Sequence, residues 1–139
     1  MQKFIEKSIS HVKHIFPEIY QSREKKGSFH CSIALDRSKI IAVGWNKPEK
    51  EDARAFHFAR KFCLPDKLRY KYLHAEECMI ARLISLNKLS SSLNIVVIRV
   101  NRWGELGSSK PCGNCETILS AYGLNRVWFS NKDGEICRL

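Results

Sequence analysis

Long apolar runs are missing from this sequence. Unbroken runs such as IVVI at 95–98 have no more than four residues, far short of the ~20 residues that cross a bilayer. The first residues, MQKFIEKSISHVKHIF, alternate apolar and charged side chains and lack the apolar core of a secretory signal. These absences argue against a membrane span or a membrane partner, and we expect an intracellular, cytoplasmic protein.

Glycine and proline are also scarce, with 7 and 4 residues in a chain of 139. No internal repeat, low-complexity tract or Gly/Pro-rich linker interrupts the sequence. A chain of this length can bury a sizeable core without disulfides or other cross-links. We therefore expect one domain that spans residues 1–139.

Acidic residues are few beside basic ones, 14 against 24, which gives a formal net charge of +10. The basic excess lies outside residues 72–98, and a long basic and polar stretch occupies 47–71. A surface of this sign favours anionic partners such as nucleotides, nucleic acid or anionic lipid. Charge alone does not separate a free nucleotide from a polymer, and a merely solvated basic surface is the simpler alternative.

Hydrophobic periodicity predicts helices that alternate with strands. The predicted helices are 4–20, 52–62, 75–87 and 112–122, and the predicted strands are 29–35, 39–45, 93–100, 125–130 and a short last segment, EICRL. Phe56, Ala59 and Phe62 share a face of the second helix, and Met79, Ile80, Leu83 and Ile84 supply the apolar stripe of the third. The run at 93–100 is continuously apolar and β-branched, which is typical of a central strand buried on both faces. The fold class is therefore α/β: a single three-layer domain with a mixed β-sheet of about 4–5 strands flanked by helices.

Of the six cysteines, only Cys112 and Cys115 are clustered, in PCGNC. At spacing i, i+3 they share a helix face, and Pro111 favours a helix start, where the dipole promotes thiolates. The chain has no second C-x-x-C and no H-x-x-x-H, so it lacks the second pair of ligands that a structural zinc site with four protein ligands would need. With His74 as a third ligand, one position stays open, which is typical of a catalytic zinc. We expect Cys31, Cys78 and Cys137 to be structural.

The segment HAE at 74–76 places a histidine and a glutamate two residues apart. Within a helix these positions do not face the same way. If the helix begins at His74, however, the imidazole can lean toward a metal while Glu76 faces the metal-bound water as a proton shuttle. Glu77 is expected to be a solvated acid of the first turn.

HAE followed by PCGNC, with a buried strand between them, resembles the cytidine/deoxycytidylate deaminase superfamily, whose zinc signature pairs H-x-E with P-C-x-x-C. The resemblance implies one Zn²⁺ per chain, held by His74, Cys112 and Cys115. It also implies that Glu76 is the catalytic general acid/base in a hydrolytic conversion of cytosine to uracil. Substrate contacts are expected from the backbone N–H groups of Ala75 and Cys112, and from Trp45 and Asn46 in GWN.

Three interpretations of the function stay open. A cytosine-containing nucleotide or nucleoside is the first choice of substrate, because the basic stretch 47–71 could reach a phosphate. The alternative is a deaminase of cytosine or adenosine in single-stranded nucleic acid or tRNA, in which Trp103 stacks on a base rather than covering the core. The third is a deaminase-like zinc protein that binds nucleic acid without catalysis. Homo-oligomerisation is possible. NKDG near the end predicts an antiparallel last strand, if one forms.

Overall fold

The computed structural model describes residues 2–24, 27–47, 51–64 and 72–139. In chain order the elements are α1 Lys3–Gln21, β1 Phe29–Asp36, β2 Lys39–Trp45, α2 Ala53–Lys61, α3 Ala75–Ser85, β3 Asn94–Val100, β4 Leu106–Gly107, α4 Gly113–Ala121, β5 Val127–Ser130 and β6 Ile136–Arg138. The predicted α/β fold with a mixed sheet is confirmed. Part of the basic stretch 47–71 lies outside the described residues.

The sheet has the strand order β2-β1-β3-β5-β6, with the two-residue β4 paired to β3 beside this path. β1 pairs antiparallel with both β2 and β3, while β3 and β5 are parallel. A parallel pair needs a long crossover, and α4 lies within that connection. The last strand, β6, pairs antiparallel with β5, as NKDG predicts. The sheet exceeds the expected four to five strands because β4, inside the predicted loop 101–110, also pairs.

β3 explains why the domain has three layers. Ile95 and Val97 belong to a core cluster with residues of α2, α3 and α4. Val96, Ile98 and Val100 belong to a second cluster with residues of α1 on the opposite face. Because successive strand residues point to opposite faces, a continuously apolar strand buries both sides. The prediction of a central strand buried on both faces is confirmed.

In α2 and in α3, one residue of the apolar face expected from the sequence is exposed. In α2 the buried residues are Ala55, Phe58 and Ala59, and Phe56 is 38% exposed. In α3 the side chain of Ile84 is 49% exposed. Both residues lie about one position beyond the buried stripe of their helix, so helical spacing alone does not place them correctly. Among the described helices, none combines the length and apolarity needed to cross a bilayer.

Candidate active site

The first half of the site is the N-terminus of α3. His74 is the N-cap residue, with extended backbone (φ −78°, ψ 158°). Its backbone N–H donates a hydrogen bond to Glu77 Oε1 at 3.0 Å, so the acid three residues on closes the start of the helix. Glu77 is only 1% exposed, and the expectation of a solvated acid was wrong. The chain therefore enters the helix at His74, as the H-x-E spacing predicts.

The second half is the N-terminus of α4. Cys112 is its N-cap residue and Cys115 lies in its first turn. His74 Nδ1 is 3.9 Å from Cys112 Sγ and 3.4 Å from Cys115 Sγ, and the ligand atoms of the three residues all lie within 4.8 Å of one another. Tetrahedral zinc, with Zn–S of about 2.3 Å and Zn–N of about 2.0 Å, separates such atoms by about 3.6 Å. The cluster therefore fits one Zn²⁺.

Gly44 lets the first half of the site, the start of α3, approach β2 closely. A Cβ at this position of β2 would lie 2.3 Å from the backbone nitrogen of Met79 and 2.6 Å from the carbonyl oxygen of Ala75. Both atoms belong to the backbone of α3. Because Gly44 has no side chain, the first turns of α3 pack closely on β2. These turns carry Glu76 and directly follow His74.

The electrostatics of the cluster favour a metal-binding thiolate. A hydrogen bond from the Cys115 thiol lowers the pKa of Cys112 to about 3. The Cys112 thiolate in turn raises the pKa of His74 through a hydrogen bond, and the same pairing with Cys112 raises the pKa of the buried Cys115 thiol. Thiolate is the form of cysteine that ligates metal, so the cluster is chemically as well as geometrically suited to zinc.

Two buried carboxyl groups flank the cluster. Glu76 is 5% exposed, and desolvation raises its pKa. Desolvation also raises the pKa of Glu77 to about 7. A carboxyl group with a raised pKa takes and releases a proton nearer to neutral pH. Glu77 is occupied with the His74 backbone, whereas Glu76 lines the adjoining cavity.

The cavity beside the cluster has a volume of about 280 Å³, just below the usual range for ligand pockets. Its lining residues are His30, Asn46, His74, Ala75, Glu76, Ser109, Lys110 and Cys112. The structure therefore brings together the sequence-predicted residues His74, Ala75, Glu76, Cys112 and Asn46 around one space. Cys115 lies behind them, buried.

Asn46 uses its side chain to join β1 to the end of β2. Its Oδ1 accepts hydrogen bonds from the His30 backbone N–H at 2.9 Å and from Arg23 Nη2 at 3.1 Å. Its Nδ2 donates to the Ser28 carbonyl oxygen at 2.9 Å. The amide is therefore a structural anchor at the cavity wall, a role that the sequence pattern did not indicate.

The structure does not bring the two predicted tryptophans to this cavity. Trp45 packs with the core cluster on the α1 face of the sheet, and the Arg82 guanidinium lies 4.7 Å from its ring centroid. Trp103 is 72% exposed, in the turn between β3 and β4. It lines a separate cavity against α1.

Three cavity residues were not singled out from the sequence as site residues: His30, Ser109 and Lys110. Desolvation lowers the pKa of His30 to about 4, so its imidazole is neutral at physiological pH. Ser109 is buried and donates to the Val97 carbonyl oxygen at 2.6 Å. Lys110 is exposed and places a cation at the cavity. Its position directly before PCGNC was a usable signal, whereas His30 reaches the cavity only through the pairing of β1 with its neighbours.

Comparison with known proteins agrees with this geometry. The model of the family "Cytidine and deoxycytidylate deaminase zinc-binding region" matches residues 3–131, and the chain belongs to that family. The family membership predicted from HAE and PCGNC is confirmed. The chain is therefore a member of a family of zinc-binding deaminases, which are hydrolases.

Among solved structures, the chain is similar to the dCMP deaminase of the cyanophage S-TIM5 in apo form and in complex with dCMP and dUMP. Each match has a TM-score of 0.51 and 16% identity, covers 95% of this chain, and covers 86% and 85%, respectively, of the other chain. At this identity the likeness shows the fold. No curated protein matches the chain significantly in sequence.

Proposed function

We propose that the chain is a zinc-dependent hydrolytic deaminase that converts cytosine to uracil in a deoxycytidine-type nucleotide. The observation that carries this proposal is the placement of three zinc-ligand atoms within 4.8 Å of one another, at a cavity that Glu76 also lines. Three protein ligands with a cavity at the remaining position are typical of catalytic zinc sites.

In this proposal His74, Cys112 and Cys115 hold the metal. When bound, zinc lowers the pKa of a coordinated water toward ~7 and so makes water a nucleophile at neutral pH. The Cys112 thiolate is already favoured by its neighbours. The closed start of α3, where the His74 N–H donates to Glu77, fixes the backbone from which the imidazole reaches the metal.

Glu76 moves the protons. The net reaction adds water at C4 of cytosine and breaks the bond to the exocyclic nitrogen, which gives uracil and ammonia. The Glu76 carboxylate accepts one proton from the attacking water and delivers it to the ring nitrogen N3. It then accepts the second proton, from the new hydroxyl group on C4, and delivers it to the amine, which leaves as ammonia. Burial raises its pKa, which brings proton uptake and release closer to neutrality. One carboxyl group thus serves as base and then as acid.

The cavity also offers groups that hold a nucleotide. Backbone N–H groups of Ala75 and Cys112 are positioned by two helix N-termini, where such groups bind anionic or polar oxygens. Lys110 supplies a cation for a phosphate. The cyanophage dCMP deaminase has been crystallised with dCMP and dUMP, which supports a nucleotide as the substrate class.

The test is incubation of zinc-loaded protein with cytidine, with dCMP and with a cytosine-containing single strand, with uracil product and ammonia measured in each case. We expect dCMP to be converted, and Glu76→Gln to lose roughly 10²- to 10⁴-fold in rate while it keeps its zinc. If wild type and Glu76→Gln are equally inactive on all three substrates, the catalytic proposal is wrong and a non-catalytic zinc protein remains.

A further inference from the structure

Two turns in this chain are built alike. NRWGE at 101–105 joins β3 to β4, and NKDGE at 131–135 joins β5 to β6. In each, the side-chain oxygen of the first residue, Asn101 or Asn131, accepts backbone hydrogen bonds from the third and fifth residues at 2.9–3.0 Å. In each, the glycine has φ near +78° and donates its N–H to the asparagine carbonyl oxygen.

The second turn shows that this architecture needs no aromatic side chain. Asp133 occupies the position that Trp103 occupies in the first turn, and the hydrogen bonds are the same. Trp103 is nonetheless 72% exposed, more than any other large apolar side chain in the described part of the chain. The turn does not require the indole of Trp103, because a short polar residue fits the same backbone. The core does not require it either, because most of the side chain is exposed.

Trp103 and the residues around it form a surface, which we call the Trp103 surface. Its cavity of about 290 Å³ is lined by Lys13, Phe16, Pro17, Val100, Trp103 and Gly104. The Arg102 guanidinium carbon lies 4.7 Å from the Trp103 ring centroid. A Cβ at Gly104 would lie 3.8 Å from the Phe16 ring, so the turn rests on α1. A flat indole thus stands beside an apolar slot with Lys13 and Arg102 exposed around it.

We propose that the Trp103 surface binds a base of a single-stranded polynucleotide. An exposed indole stacks on the face of any base, and nearby Arg and Lys side chains neutralise backbone phosphates; this combination is typical of sites for single strands. The formal net charge of +10 attracts the same partner. A protein partner is less favoured, because a stable interface takes about 20–30 residues from each side and this slot is lined by Lys13, Phe16, Pro17, Val100, Trp103 and Gly104.

This inference goes beyond the proposed function, since the Trp103 surface is separate from the catalytic cavity. Binding at the Trp103 surface does not require deamination. A strand without cytosine, such as a fifteen-residue oligothymidine, tests the surface alone. Failure of binding and failure of catalysis are therefore separate results.

The experiment is fluorescence anisotropy of labelled oligothymidine, titrated with zinc-loaded protein at several salt concentrations. The double variant Arg102→Lys/Trp103→Asp turns residues 101–105 into the sequence NKDGE, which the chain already folds at 131–135. Trp103→Ser removes the ring without a change in charge, and Trp103→Phe keeps a ring. Asn125→Asp, exposed just before β5, controls for the added negative charge.

We expect Trp103→Ser and the double variant to weaken binding roughly tenfold, with Trp103→Phe and Asn125→Asp close to wild type. Arg102→Ser should reduce the slope of log affinity against log salt by about 0.7. Equal affinity of wild type and Trp103→Ser would overturn the proposal. So would Trp103-dependent self-association in sedimentation without any oligothymidine binding, which would make this surface an interface between two copies of the chain.

Discussion

Gly44→Ala should disrupt the active site although residue 44 contributes no side chain to it. The new Cβ would lie 2.3, 2.6 and 2.9 Å from backbone atoms of Met79, Ala75 and Cys78. Ordinary contact begins at 3.4 Å, so α3 must withdraw from β2 by about 1 Å. Overpacking of this kind costs about 1–3 kcal/mol in stability. A displacement of about 1 Å of catalytic groups costs about 10²-fold in rate.

The matched control is Gly113→Ala, at the first position of α4 and next to the ligand Cys112. A Cβ there meets nothing within 4 Å, and alanine favours helix over glycine. We therefore expect Gly44→Ala to lower both the free energy of unfolding, measured in urea, and the affinity for zinc, measured by chelator competition. Gly113→Ala should leave both quantities unchanged or raise them. Indistinguishable stability and zinc affinity of the two variants would refute the reasoning about close packing of α3.

Three further predictions concern single groups of the site. Cys115→Ser should abolish stoichiometric zinc binding, measured by metal analysis of purified protein, because one ligand of the His74, Cys112 and Cys115 set is lost. Folding lowers the pKa of His30 to about 4 from 6.5, so the folded state favours the neutral imidazole. Above pH 6.5 His30 is neutral in both states and stability is complete; as pH falls from 6.5 through 4, the unfolded state takes up the proton first and the free energy of unfolding decreases. His30→Asn should flatten the fall of unfolding free energy in that window by up to about 3 kcal/mol, and unchanged pH dependence would contradict the burial argument. Glu77→Gln should keep the hydrogen bond from the His74 backbone N–H and should therefore have a free energy of unfolding about 1 kcal/mol higher than Glu77→Ala in urea titrations. Equal urea midpoints of the two variants would show that this hydrogen bond contributes nothing to stability.

The zinc cluster was predictable from the sequence because its spacing is local. His74 and Glu76 straddle a helix start, and Cys112 and Cys115 lie in one helical turn, so four residues define two short pieces of backbone. The strand between them is readable because it is buried on both faces. Only the distance between these two pieces of backbone could not be read from the sequence. In the structure that distance depends on the close packing of α3 on β2 at Gly44 and on the parallel pairing of β3 with β5.

What the sequence did not predict depends on neighbours that are distant along the chain. Glu77 looked like a solvated first-turn acid, but the packing of α3 on the sheet buries it. His30 reaches the cavity because β1 runs between β2 and β3. Trp45 lies on the α1 face, because Gly44, the residue before it in the strand, is the one that faces α3. Each of these outcomes is decided by which side of an element meets another, and no local pattern contains that information.

The most direct test of the account is the production of dUMP from dCMP by wild-type protein loaded with zinc, by the same protein after removal of zinc with a chelator, and by zinc-loaded Glu76→Gln. We expect product and ammonia only from the first sample, recovery of activity when zinc is returned to the second, and one zinc per chain in the first and third. Deamination that persists without zinc, or at an equal rate in Glu76→Gln, would contradict the assignment of His74, Cys112, Cys115 and Glu76 to one catalytic site.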